Sequence, residues 1–217
     1  MKSILSICFA VLLSLPLVAH AKPVLTVYTY DSFASEWGPG PAIEAAFEEK
    51  CDCDLRFVAL DSSIGILGRV QLEGGASKAD IVLGLDTNLM ATAEQTGLFA
   101  PHGANVSGRT NLPVAFDDEV FMPFDWGYFA FVYDSSKLRD VPVSLDALVN
   151  APDDLRIVIQ DPRTATPGLG LLLWIKSVYG DEAADAWARL APKIVTVTKG
   201  WWDAYSMFLE GEADMVL

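Results

Sequence analysis

The sequence predicts an α/β protein built as two lobes, and three observations lead to that reading. Strand-like and helix-like runs alternate along most of the chain. The alternation breaks over residues 101–119, where Gly, Asn and Pro collect, and it resumes after a long apolar run at 121–133. Short connections between alternating elements make each sheet parallel, through right-handed crossovers. The N-terminal part, residues 22–119, forms lobe one, and residues 120–217 form lobe two.

Residues 1–21 stand apart from the fold. Lys2 supplies a positive start, residues 4–18 are almost unbroken apolar sequence, and Ala19, His20 and Ala21 place small residues at the −3 and −1 positions. This is the pattern of a cleaved signal peptide, with cleavage before Lys22. The run is too short to span a bilayer. Cys8 lies inside it rather than just after the cleavage site, so no lipid anchor is expected.

The mature chain opens on VLTVYTY at 24–30, β-branched and aromatic, hence a strand. Residues 41–50 read as a helix, with Ile43 and Phe47 four apart on one face. Residues 55–60 return to strand. Ile64, Leu67 and Leu72 stand at helical spacing, and Gly74 and Gly75 end the helix. Residues 79–84 form a short buried strand, and 88–95 a helix closed by Gly97.

In lobe two, 121–133 reads as one long strand joining the lobes. Helices follow at 145–149, 168–179, 182–190 and 202–209, with strands at 155–160, 194–198 and 214–217 between and after them. The last of these has no cap, turn or polar tail behind it, and a buried strand is a poor terminus. The chain therefore reads as truncated within lobe two, with the return crossing and further contacts expected beyond residue 217. Two α/β lobes linked by a long strand are the plan of a hinged protein that closes on a small molecule.

The charge excludes several partners. Formal net charge is −14, and −15 once Lys2 is removed with the signal segment. Such a balance argues against nucleic acid and anionic membranes and suits a cationic ligand. Cys51 and Cys53 survive cleavage; in an oxidising compartment they read either as a local disulfide or as two free thiols. His102 is the one histidine of the mature chain, and no ligand constellation for a metal stands out.

Ligands of open α/β sheets sit beyond the carboxyl ends of strands. Four stretches meet that rule: Tyr30 with Asp31 and Ser32, Asp61 with Ser62 and Ser63, the 161–170 loop, and 198–202. In the 161–170 loop Thr166 reads as a helix N-cap with Pro167 in the first helical position, an arrangement that suits an anion with Arg163 beside it. The plain alternative is a capped helix with Arg163 paired to Asp161. Trp201 and Trp202 precede a helix as neighbours, so one indole faces outward, either to solvent or to a cleft where it stacks on a ring or a cation. Asp86 reads as a helix cap or a hinge-facing acid.

Six segments carry a resemblance: 22–33 (KPVLTVYTYDSF), 37–41 (WGPGP), 78–86 (KADIVLGLD), 124–134 (FDWGYFAFVYD), 160–174 (QDPRTATPGLGLLLW) and 195–201 (VTVTKGW). With Cys51 and Cys53 they resemble the thiamine-binding family of periplasmic solute-binding proteins that serve bacterial ABC transporters. The resemblance implies a two-lobe periplasmic binding fold, type II-like, with the second lobe incomplete here. It also implies a monomer that needs no cofactor, takes thiamine, thiamine monophosphate and thiamine diphosphate, and delivers them to a membrane permease. Carried onto this sequence, the ligand roles fall on Tyr30, Ser62, Ser63, Ala165, Thr166 and Trp201. The family has Asp-Gly where this chain has Ser62 and Ser63, and Ser where it has Ala165; backbone contacts survive those changes, side-chain contacts do not. Thiamine-cleaving enzymes share the fold but need a cysteine nucleophile in the cleft. Cys51 and Cys53 precede a strand at its far end, so catalysis is not expected. A polyamine or ferric iron is the alternative cargo.

Overall fold

The computed structural model describes residues 21–105 and 112–217. All of the expected signal segment but Ala21, and residues 106–111 of the expected loop, lie outside the described residues.

The first lobe is a three-stranded parallel sheet in the order β2-β1-β3, with β1 Val24–Tyr30 central, β2 Asp54–Leu60 and β3 Ile81–Val82. Four helices connect and flank these strands: α1 Asp31–Ala34, α2 Gly40–Cys51, α3 Ser63–Glu73 and α4 Met90–Gln95. Register explains the core. Tyr28 lies opposite Val58 on one side and Val82 on the other, and Tyr30 opposite Leu60. Side chains two apart share a face, so these residues build one surface against Ile66 and Val70 of α3. The Tyr28 hydroxyl donates to Glu73 at 2.9 Å, and Arg69 bonds Glu73 at 2.8 Å while lying over the Tyr28 ring. Those bonds fix the end of α3 to the central strand.

Of the two readings of Cys51 and Cys53, the structure has the disulfide. Cys51 ends α2, and Asp52 turns the chain in the left-handed region at φ 49°.

The second lobe is a four-stranded sheet in the order β4-β7-β5-β6: β4 Val132–Tyr133, β5 Ile157–Gln160, β6 Ile194–Thr198 and β7 Met215–Val216. β4 runs antiparallel to β7, and the other pairs are parallel. The helices are α5 Leu145–Val149, α6 Thr166–Tyr179, α7 Ala183–Leu190 and α8 Trp201–Glu210. All four residues of β5 are buried, as a strand covered on both faces requires. Ile157 and Ile159 pack with Leu171 and Ile175 of α6 and Leu190 of α7, while Val158 packs with Ala204 of α8.

The expected long strand at 121–133 is corrected. Only Val132 and Tyr133 form a ladder, and 120–131 is irregular. The segment has strand-like composition, but a strand exists only against a partner. Pro123 also removes one donor. The buried strand expected at 79–84 is corrected too: only Ile81 and Val82 are paired, and Ile81 is exposed. The other expected elements match the observed ones or differ by one or two residues at their ends.

Candidate functional site

The carboxyl ends of β1, β2, β5 and β6 face one another, and the residues that follow them touch across the lobes. Tyr30 ends β1. Its half-buried ring packs edge-on to Phe33 at 5.8 Å and rests on Gly84, where a Cβ would lie 2.5 Å from a ring carbon. Gly84 also has φ 104°, open to glycine alone at little cost. Burial first, and the Asp125 carboxylate second, push the Tyr30 hydroxyl above its ordinary pKa, so it stays a neutral donor.

Ser62 and Ser63 follow β2 but differ in role. Ser62 is buried and caps α3, its Oγ accepting the Gly65 N–H at 3.1 Å. Ser63, the first residue of α3, places its Oγ 3.2 Å from Thr166 Oγ1 in the other lobe.

The N-cap expectation for Thr166 is corrected. Ala165, buried and in extended conformation, takes the cap position, and α6 begins at Thr166 with Pro167 second. The backbone decides it: Ala165 has the extended φ −129° and ψ 132° of a cap and its carbonyl accepts the Leu169 N–H at 3.2 Å, so Thr166 falls one place inside the helix, where its Oγ1 donates to Asp86 Oδ2 at 2.5 Å. A hydrogen bond to a carboxylate is stronger than one to a neutral group. Asp86 matches both of its readings in part: its Oδ1 accepts the Asn88 N–H at 2.8 Å, capping a turn, while Oδ2 faces the second lobe. Ser63, Asp86, Ala165, Thr166 and Arg163 line a narrow crevice between the lobes.

Arg163 follows its plain reading. It holds Asp161 through two nitrogens, and that bond keeps the Asp161 carboxyl down at about 2. Lys199, after β6, likewise pairs with Asp61, after β2, across the lobes. Next to it Gly200 lies so close that a Cβ would sit 2.8 Å from the Asp61 carbonyl oxygen.

The indoles complete the site. Trp201 and Trp202 are the first two residues of α8. Trp201 stacks on Tyr205 at 4.6 Å and 15°, one turn along the same helix face. Trp202 stacks on Trp37 of lobe one at 5.0 Å and 29°, and Trp37 also lies 6.3 Å from Trp201. Around this aromatic group stand carboxylates. Asp31 is pushed above its ordinary pKa by burial first, and also by Asp203 and Asp61.

The structure therefore brings Ser63 and Thr166 into contact, seats Ala165 beside them, sets Trp201 further along the same inter-lobe seam and places Tyr30 at the end of the central strand. Trp37, Tyr205 and the Asp61–Lys199 pair were not singled out from sequence. Tyr205 was detectable as the i+4 neighbour of Trp201. Trp37 stands in a Gly-Pro loop whose geometry no periodicity reveals.

The model of the bacterial extracellular solute-binding protein family matches residues 36–217. The thiamine-binding periplasmic protein of Escherichia coli strain K12 is 55% identical over 210 residues, which is 97% of this chain and 64% of that protein. Its counterpart in Haemophilus influenzae is 45% identical, over 98% of this chain and 64% of that protein. A solved periplasmic thiamin binding protein superposes with a TM-score of 0.86 at 56% identity, covering 91% of this chain and 62% of its own. A ferric binding protein from Campylobacter jejuni shares the fold alone, with a TM-score of 0.63 at 23% identity. The chain thus spans somewhat under two thirds of the length of these relatives. On the match over residues 36–217, the chain belongs to the bacterial extracellular solute-binding protein family.

Proposed function

We propose that the protein captures thiamine, with its mono- and diphosphates, between its lobes and delivers it to the permease of an ABC transporter. The observation that carries this reading is the pairing of flat aromatic faces with carboxylates at one seam: Trp201 backed by Tyr205, Trp37 nearby, and Asp31, Asp61 and Asp203 around them. A thiazolium ring is both flat and cationic, and a cation over an indole face gains about 0.5–2 kcal/mol when desolvated. The names of relatives at 45–57% identity support thiamine among such cations.

Placement supports the following roles. Tyr30 and Trp201 offer faces to the pyrimidine and thiazolium rings. Ser63, Thr166 and the backbone around Ala165 suit the hydroxyl or phosphate end, and Ser62 holds its loop in place by capping α3. The protein works in the periplasm as a monomer, with lobe one over 22–119, lobe two over 120–217, and residues 1–21 as the export signal.

Binding rather than catalysis is the reading because both cysteines among the described residues are joined to each other, leaving no thiolate there to attack the ligand. Tryptophan fluorescence titration tests the proposal. Saturable quenching by thiamine is the expected result, with no pyrimidine released on prolonged incubation. A saturable response to spermidine or ferric iron, with none to thiamine, overturns it.

A further inference from the structure

Trp201 and Trp202 are adjacent, yet their surroundings divide them. Successive helical residues point about 100° apart. Trp201 lies flat on its own helix, over Tyr205, whereas Trp202 leaves α8 and stacks on Trp37 of the opposite lobe. Trp37, its indole half exposed, sits on a close-packed loop. The loop that carries it packs Gly38 and Gly40 against the backbone of Ser32 and Phe33, where a Cβ would come within 2.3 and 2.7 Å of a carbonyl oxygen. The same rim holds the Lys199–Asp61 pair and the close approach of Gly200 to Asp61.

We infer that Trp202 is a positioning residue that clasps the cleft shut, stacking on Trp37 across the lobes rather than touching the ligand. The inference rests on the reading of the protein as a two-lobe binder. An inter-lobe stack exists in the closed arrangement and is lost on opening, so it slows release. An aromatic pair of this kind is worth about a three- to tenfold change in rate.

Two measurements test it on Trp202→Ala and Trp202→Phe. In stopped-flow fluorescence with thiamine, Trp202→Ala is expected to raise koff about three- to tenfold with kon unchanged or raised, because the open form becomes more populated, and Trp202→Phe, which keeps a stacking ring, to return koff most of the way to the parent value. In small-angle scattering without ligand, Trp202→Ala is expected to show a larger radius of gyration than the parent, and Trp202→Phe the parent's value. Unchanged koff and radius in Trp202→Ala overturn the clasp. So does equal damage from Ala and Phe, or lost thiamine binding at an unchanged radius, which makes Trp202 a ligand contact. If the parent itself ignores thiamine, the proposed cargo fails, and the scattering comparison alone decides the clasp.

Discussion

Thr166 Oγ1 donates to Asp86 Oδ2 at 2.5 Å, so the first residue of a helix in one lobe is bonded to the loop after β3 in the other. Ser63 Oγ stands 3.2 Å from the same hydroxyl. One threonine thus meets two elements of the opposite lobe at the seam between the lobes.

Thr166→Val keeps the side-chain shape and removes the hydroxyl. A hydrogen bond to a charged group contributes about 1.5–3 kcal/mol, and partial exposure reduces that here. Thiamine binding is expected to weaken by about 1–2 kcal/mol in calorimetry. Unchanged affinity would remove Thr166 from the site.

Trp201→Ala removes a stacking face. The expected loss is about 1–3 kcal/mol of thiamine binding. Tyr205→Ala, which takes away the ring beneath that indole, should cost a smaller part of the same amount. Calorimetry ranking Trp202→Ala above Trp201→Ala in affinity loss would mean the two indoles are wrongly assigned.

Gly200→Ala tests how closely the lobes must approach. The added Cβ would meet the Asp61 carbonyl oxygen at 2.8 Å, and backbone cannot step aside as a flexible side chain can. Overpacking of this kind costs about 1–3 kcal/mol. Because the clash lies between lobes, affinity for thiamine should fall while the melting temperature without ligand stays near the parent value. A lowered melting temperature with intact affinity would show that the contact belongs to folding instead.

Asp31 gives the pH dependence. Burial, and then its carboxylate neighbours Asp203 and Asp61, raise its pKa above the ordinary 3.8, so the folded protein favours the protonated acid. Its charge is therefore a cost to the fold that is fully present above the raised pKa. That cost disappears as pH falls below the ordinary value. Asp31→Asn should raise the melting temperature at neutral pH, with the gain vanishing in acid. For a cationic ligand the sign is opposite: thiamine favours ionised Asp31, so affinity in the parent should fall as pH drops through that raised pKa. Titrations of parent and Asp31→Asn with equal pH profiles above pH 3.8 would contradict this.

Most of the fold was legible because local pattern and burial agree. VLTVYTY at 24–30 has strand composition and occupies the centre of a sheet, so nothing overrides it. IVIQ at 157–160 is apolar enough to be covered on both sides, and it is. The 121–131 run failed for the complementary reason: strand composition is a property of a segment, whereas a strand is a property of a pair. Thr166 failed as a cap because the backbone enters the helix one residue earlier, at Ala165, and its hydroxyl instead donates to Asp86, eighty positions away in the chain. Strand-end logic found Ser63 and Thr166, and the adjacent indoles drew attention to Trp201. It could not find Trp37, whose position depends on two glycines pressed against backbone that only the folded loop brings near.

The disulfide at the amino end of β2 closes a ring of three residues around Asp52. Chain-entropy arguments give so small a loop roughly 1.6 kcal/mol, about half the value for a fifteen-residue loop. That is comparable with the roughly 1–2 kcal/mol that a left-handed conformation costs a residue bearing a Cβ. The bond therefore chiefly offsets the conformation it encloses. Reducing it should let the last turn of α2 fray and Asp52 relax, while the opposite end of β2, where Asp61 to Ser63 face the other lobe, keeps its geometry. Thiol reagents would then alter the amino end of β2 and leave its carboxyl end unchanged, so the inter-lobe seam is blind to the redox state of the surroundings.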